Sequence, residues 1–256
     1  NSVRSYLKQV TGFRSIHITE ASKNKGLANS IIEGVTDIIN HHGKIIVLED
    51  DLLSSSNFLV YMNKALEYYS DNDKIFSVSG FSMPVKGLCE DDIYFTGRSS
   101  SWGWATWKQQ WNKVDWEVKD YPQFNQDRFA KQAFNKMGSD MSQMLRKQIQ
   151  GKINSWAIRW CYYQFKHQLF TVYPAISKIR NIGLEDARAT HTNERFSRFK
   201  TTIDISENTT FNFTDKVTLD KNIIKQFVKP YSYPQRIKYK VLNTFPVFSL
   251  LRQINT

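Results

Sequence analysis

The sequence predicts an α/β fold: a mostly parallel sheet flanked by helices. Three observations carry that expectation. Strand-like and helix-like segments alternate from residue 15 to residue 79, the order that gives a parallel sheet with covering helices. One of those strands, Lys44-Ile45-Ile46-Val47-Leu48, is apolar almost throughout, as expected for burial on both faces. Three consecutive acids, Glu49-Asp50-Asp51, follow it at once. In open parallel sheets the ligand crevice lies beyond the carboxyl ends of the strands.

Ser15-Ile16-His17-Ile18-Thr19 alternates and predicts a short strand. Asn24-Lys25-Gly26 is a turn. Leu27, Ile31, Ile32, Val35, Ile38 and Ile39 then recur at helical spacing, which predicts an amphipathic helix over 27–41, closed by His42-Gly43. After the acids, Asn57 is placed to cap a helix holding Phe58, Tyr61, Met62, Ala65, Leu66 and Tyr69. Ile75–Ser79 is the next strand, and Ile93–Thr96 a further one, antiparallel. From Trp102 to about Lys152 the texture predicts long helices rich in Trp and Gln. Ser155 to His167 is a helix and Leu169 to Tyr173 a strand. Residues 185–215 are a polar loop.

The chain has 256 residues, enough for one large domain or a domain with an appendage. Lys and Arg outnumber Asp and Glu by 35 to 24, a net charge of +11. That surplus suits an anionic partner: nucleic acid, an acidic membrane face or phosphorylated substrates. The positive residues are not interleaved with aromatics on a nucleic-acid module, so no nucleic acid is expected. Cys89 and Cys161 sit in no metal-binding pattern and are expected as free thiols in a cytosolic protein. No apolar run is long enough to span a bilayer, and no signal peptide is visible. The chain begins at Asn1 in helix-like sequence, so further N-terminal residues are expected to precede it.

Three groups of residues can carry chemistry. Glu49-Asp50-Asp51 is costly at a buried strand end unless a cation joins it. A divalent metal bearing a diphosphate meets that need, because Mg2+ and Mn2+ take carboxylate and phosphate oxygens. The competing reading is a solvated turn in which Asp51 caps a later element. Trp104, Trp107 and Trp111 are spaced to share one helix face, either as core or beside a sugar. The hydroxyl-rich run Ser99-Ser100-Ser101 leads into them. His191 is either a surface residue or, if it lies near the acids, a neutral imidazole completing a metal shell.

Taken in order, these pieces resemble a known family. The run IIVLEDDLLSSSNFLVYMNKALEYYSDNDKIFSVSGFS, then SSSWGWATWKQQW, INSWAIRW, LFTVYPAISKIRNIG and ATHT are similar to successive segments of GT-A glycosyltransferases. The resemblance is closest to the N-acetylglucosaminyltransferase I family and its bacterial sugar-transferase relatives, and it covers about residues 20–195.

The resemblance implies a GT-A-like nucleotide-diphospho-sugar transferase fold over 1–195, followed by a polar loop and a basic amphipathic tail over 196–256. It implies that Asp51 coordinates Mn2+ or Mg2+ and that His191 lies close to the metal or diphosphate. Asn24, Lys25, Gly26, Glu49 and Asp50 would bind the donor, a UDP- or GDP-sugar. Ser101, Trp102, Gly103, Trp104 and Trp156 would face a glycan or lipid-linked acceptor. An inverting transfer needs a carboxylate base. The family's aspartate just before the tryptophan matching Trp156 is replaced here by Asn154-Ser155, which leaves Glu185, Asp186 and Asp92 as candidates.

A sugar-phosphate nucleotidyltransferase and a non-catalytic carbohydrate-binding relative are the other readings. The first usually carries an early Gly-rich loop, which is not visible here. The tail, with Arg236, Lys238 and Lys240 among apolar residues, is either a helix packed on the domain or a segment lying on an anionic membrane surface. The second choice suits a cytoplasmic enzyme of surface polysaccharide synthesis, peripheral at the inner face of the membrane.

Overall fold

Residues 2–88, 92–183 and 196–244 are described by the computed structural model, and they form a mixed α/β architecture. A short helix, α1 (Ser2–Leu7), is followed by irregular chain as far as α2 (Leu27–His42). α2 buries Ala28, Val35 and Ile39 on one face, as its periodicity predicts. Gly43 ends it at φ 78° and donates its N–H to Ile39 O, a conformation that costs glycine little. Ser15–Thr19, expected as a strand, is irregular and exposed. No described strand pairs with it, and alternation without a ladder makes no strand.

The remaining elements are β1 (Lys44–Val47), β2 (Leu52–Ser54), α3 (Phe58–Tyr68), β3 (Ile75–Ser79), β4 (Ile93–Thr96), β5 (Trp104–Trp107), α4 (Lys108–Trp111), α5 (Tyr121–Gln126), α6 (Arg128–Phe134), α7 (Met141–Ile149), α8 (Trp156–Lys166), β6 (Phe170–Pro174), β7 (Ile179–Asn181), α9 (Lys221–Val228) and α10 (Tyr233–Thr244). Five of the described strands form one sheet in the order β1-β5-β3-β6-β4. Among them only β3 and β6 run parallel; β1–β5, β3–β5 and β4–β6 are antiparallel. The sheet is therefore mixed, which corrects the expectation of a mostly parallel one.

The cause is β5, which lies between β1 and β3 and opposes both. Its residues were expected in a helix. Two tryptophans and a β-branched threonine suit a buried, pleated strand, and pairing on both edges decides the conformation. In a helix, residues three apart share a face; in a strand they point to opposite faces. Trp104 accordingly packs on Trp111, Trp156 and Trp160. Trp107 lies on the other side, its Nε1 donating to Leu66 O at 3.0 Å. After β5 the chain runs through short helices, α4 to α7, instead of long ones. β1 is at the sheet edge, so Ile45, Ile46 and Val47 are half-buried, not buried on both faces.

Core packs on both faces of the sheet. On one side Phe58, Tyr61 and Leu66 of α3 meet Val78, Ala105 and Val172. On the other, α2 and α8 enclose Phe76 and the tryptophan cluster. Residues beyond 195 join the first side: Ile223 and Phe227 are fully buried there, with Phe199, Phe211 and Phe213 packed against them. Residues 196–220 hold no helix or strand, but they are tied down. The buried pair Lys178–Asp204 anchors them to the start of β7. Asn57 stands before α3 without capping it; its Nδ2 donates instead to Asp204 Oδ2 at 3.0 Å and to the carbonyls of Ser206 and Asn208. Cys161 is free and buried, while Cys89 lies outside the described residues. No helix among the described residues is long and apolar enough to cross a membrane.

Candidate functional site

After β1 the chain turns at Asp50-Asp51 into β2, which pairs antiparallel with β7 in the register Leu52↔Asn181, Ser54↔Ile179. That ladder brings residues 181–183 against Asp51. Asn181 Nδ2 donates to Asp51 Oδ2 at 3.2 Å, and Ile182 N–H donates to Asp51 O at 2.9 Å. A β-carbon at Gly183 would fall 2.4 Å from Asp51 Oδ2 and 2.8 Å from its Cβ, so the chain passes this close only as glycine. Asp51 Oδ1 is buried and has no hydrogen-bond partner among the described residues. Leaving such an acceptor unsatisfied costs about 1–3 kcal/mol. Glu49 is half-buried and Asp50 exposed. Burial, then the charges of Asp51 and Asp50, push the Glu49 carboxyl up to about 7.

These acids fit a hard divalent cation in part. Among the described residues no group of three or more His, Cys, Asp or Glu is arranged to hold a metal. Among the described residues one carboxylate here, Asp51, is held in a fixed orientation. Mg2+-like ions accept that arrangement, taking one or two carboxylates and completing their shell with phosphate oxygens and water. His191, Glu185 and Asp186, expected in this region, lie outside the described residues.

One cavity adjoins the ladder, and a second adjoins the first. The smaller, about 150 Å³, is lined by Arg180, Asn181, Lys200 and Thr201, with Trp102 and Phe199. Asn181 links it to Asp51. The larger, about 240 Å³, is lined by Ser99, Ser100 and Ser101, with Arg98, Ser155 and Tyr231. Trp102 and Phe199 line both cavities, their rings edge to face at 5.6 Å and 89°. Arg98 grips Asp140 with both arms, at 2.8 and 3.0 Å, and its guanidinium stacks 3.7 Å from the Tyr231 ring centre. Burial would raise the Asp140 carboxyl, but Arg98 outweighs it and holds the group below the usual carboxylate range. Asp140 therefore stays ionised against Arg98 and orients that guanidinium, without itself lining the cavity. No carboxylate lines the larger cavity among the described residues.

Of the residues expected at the acceptor, Ser101 and Trp102 line the larger cavity. Gly103 turns the chain beside it at φ 59°, its carbonyl accepting from Gly80 N–H at 2.6 Å. Trp104 and Trp156 are buried, 4.8 Å apart by ring centres, and line neither cavity. They belong to the core, because β5 and α8 turn them into the tryptophan cluster.

Of the residues expected at the donor, Asn24 Oδ1 accepts from Gly26 N–H at 2.8 Å and Lys25 pairs with Glu33; none of Asn24, Lys25 and Gly26 lines either cavity. Gly26, at φ 75°, lies under Asn154: a β-carbon there would fall 2.4 Å from Asn154 Nδ2. Loop 24–26 and the start of α8 are thus neighbours. Ser155 Oγ caps α8 by accepting from Ile158 N–H at 3.4 Å. Asp92 is tied to Asn212, which donates to its Oδ2 at 2.8 Å, and it lines neither cavity.

Arg98, Asp140, Arg180, Phe199, Lys200 and Tyr231 had not been singled out from the sequence. Arg98 and Asp140 are 42 residues apart and carry no local pattern. Asn181 and Gly183 were visible in the Asn-Ile-Gly tripeptide, though only as the approach to His191. No protein-family model matches the chain, and comparison with curated proteins finds no match.

Proposed function

We propose that this chain is a metal-dependent glycosyltransferase of the GT-A type, moving a sugar from a UDP- or GDP-sugar to a hydroxyl of a glycan or lipid-linked acceptor in surface polysaccharide synthesis. The observation that carries the reading is Asp51. It is a carboxylate held by Asn181, pressed by Gly183, and left among the described residues with one buried oxygen unsatisfied. Asp51 would hold Mn2+ or Mg2+, with His191 as the second protein ligand that the sequence resemblance implies. When bound, such an ion supplies Lewis-acid stabilisation of the departing nucleoside diphosphate.

The chain's own residues do the rest. Asn181 and Gly183 keep the Asp51 carboxylate in one orientation. Arg180 and Lys200 bring positive charge to the smaller cavity, where it would favour the diphosphate. Asn24, Lys25, Gly26, Glu49 and Asp50 would bind the donor, as the sequence resemblance implies. Trp102, shared by both cavities, offers an apolar ring face to a sugar and excludes water between donor and acceptor. Ser99, Ser100 and Ser101 supply hydroxyls to orient the acceptor. Glu185 or Asp186 would take the proton from the attacking hydroxyl, giving inversion. The enzyme would work in the cytoplasm.

The test is Mn2+-dependent hydrolysis of a panel of UDP- and GDP-sugars, comparing the wild-type chain with Asp51→Ala. The wild type should turn over at least one donor, and the variant should lose metal-dependent turnover while unfolding at a similar temperature. Wild-type rates from Asp51→Ala would remove the metal assignment. Failure of every donor to bind in the presence of Mn2+ would remove the transferase reading.

A further inference from the structure

Helix α10 carries an apolar stripe that the described residues leave partly exposed. Tyr233, Ile237 and Val241 are 66%, 46% and 38% exposed, four residues apart. At about 100° per residue the three together span roughly 80° of the helix circumference. Lys240 then lies about 20° beyond Tyr233 on one side, and Lys238 about 60° beyond Val241 on the other. Both lysines are exposed. The opposite face is the docked one. Arg236 donates to Ser139 Oγ at 3.2 Å and Gln143 Oε1 at 3.3 Å. Phe196 N–H donates to Asn243 Oδ1 at 2.9 Å, and Asn243 Nδ2 donates to Phe196 O at 3.1 Å. Arg236, expected among the outward charges, therefore points to the domain instead.

The preceding helix repeats the charge. Lys221, Lys225 and Lys229 are exposed at four-residue spacing, at the end of and along α9, opposite the buried Ile223 and Phe227. Among the described residues none of these five lysines pairs with a carboxylate. A single turn, Lys229–Tyr231, joins α9 to α10, and Tyr231 in that turn lines the larger cavity.

We propose that α10 lies on an anionic lipid surface, with Tyr233, Ile237 and Val241 entering the headgroup boundary and Lys238 and Lys240 meeting lipid phosphates. A soluble polyanion would be met by the lysines alone and gives no use to the apolar stripe between them. Lipid uses both. The placement of Tyr231 then puts the larger cavity beside the lipid surface, so its acceptor would be carried on a lipid. That last step rests on the glycosyltransferase reading; the docking does not.

The test is co-sedimentation of the full chain with vesicles of mixed phosphatidylglycerol and phosphatidylcholine, with pure phosphatidylcholine vesicles and a single-stranded RNA oligonucleotide as the other arms. Binding should appear with the anionic vesicles, weaken in high salt, and be absent from pure phosphatidylcholine. Lys238→Gln with Lys240→Gln should lower the partition about thirty-fold. Ile237→Asp with Val241→Asp should abolish it, with Mn2+-dependent UDP binding kept. No binding to anionic vesicles, binding that survives both pairs of changes, or binding to RNA alone overturns the proposal. If a variant fails to fold, amide hydrogen exchange of wild-type 233–244 decides: it should slow on adding anionic vesicles, and no slowing overturns the docking. A chain that docks but transfers no sugar would sink the transferase reading and leave the docking intact.

Discussion

Gly183 and Asp51 are in contact so close that a β-carbon on Gly183 would lie 2.4 Å from Asp51 Oδ2. Real β-carbons do not come that near an oxygen, so one of the two must move in Gly183→Ala. Overpacking of this kind costs roughly 1–3 kcal/mol. Rotation of the carboxylate relieves only the Oδ2 contact; the β-carbon would also lie 2.8 Å from Asp51 Cβ, so the two backbone segments must part as well, breaking the bond between Asp51 and Asn181. Gly183→Ala is expected to weaken Mn2+-dependent UDP binding about ten-fold or more, measured by calorimetry. An unchanged affinity would show that Asp51 orientation is immaterial.

The pair Arg98–Asp140 is side-chain buried, at 12% and 7% exposure. Asp140→Asn leaves the guanidinium charge without its partner, which costs about 3–5 kcal/mol. The pH dependence has a definite sign. The Asp140 carboxyl is held below its ordinary value, so its stabilisation is present above that value and is lost as pH falls through the folded one. Denaturant titrations should therefore show a steep acid limb in the wild type and a flatter one in Asp140→Asn. Equal limbs would assign the acid sensitivity elsewhere.

Glu49 has the opposite sign. Its carboxyl is raised from 4.5 to about 7, so the folded chain binds that proton more tightly than the unfolded one. Its contribution is complete below 4.5 and is lost as pH rises to about 7. In chelator, wild-type stability should fall over that window relative to Glu49→Gln. Parallel curves would contradict the raised carboxyl.

Trp104 and Trp102 are near neighbours with different work. Trp104 is 1% exposed within the tryptophan cluster, and Trp104→Ala should cost about 3–5 kcal/mol in unfolding free energy. Trp102 is half-buried and lines both cavities. Trp102→Ala should leave the thermal midpoint within a few degrees and lower kcat/KM for transfer more than for donor hydrolysis. A large stability loss for Trp102→Ala with unchanged kinetics would place it with the core.

Much of this was legible in the chain itself. The helices read at 27–41 and Ser155–His167, and the strands read at Ile75–Ser79 and Leu169–Tyr173, match observed elements to within a residue at each end, because each depends on neighbours within a turn or two. The acids after Leu48 raised the expectation of a cation site for the same local reason. Tertiary structure decided the rest. Trp104–Trp107 is a strand because β1 and β3 pair with it on both edges, and that turned the sheet mixed and sent two tryptophans to opposite faces. The β2–β7 ladder set Asn181 and Gly183 on Asp51, although Asp51 and Asn181 are 130 positions apart in the chain. A local pattern names which residues can do chemistry; which of them meet depends on pairings between distant segments.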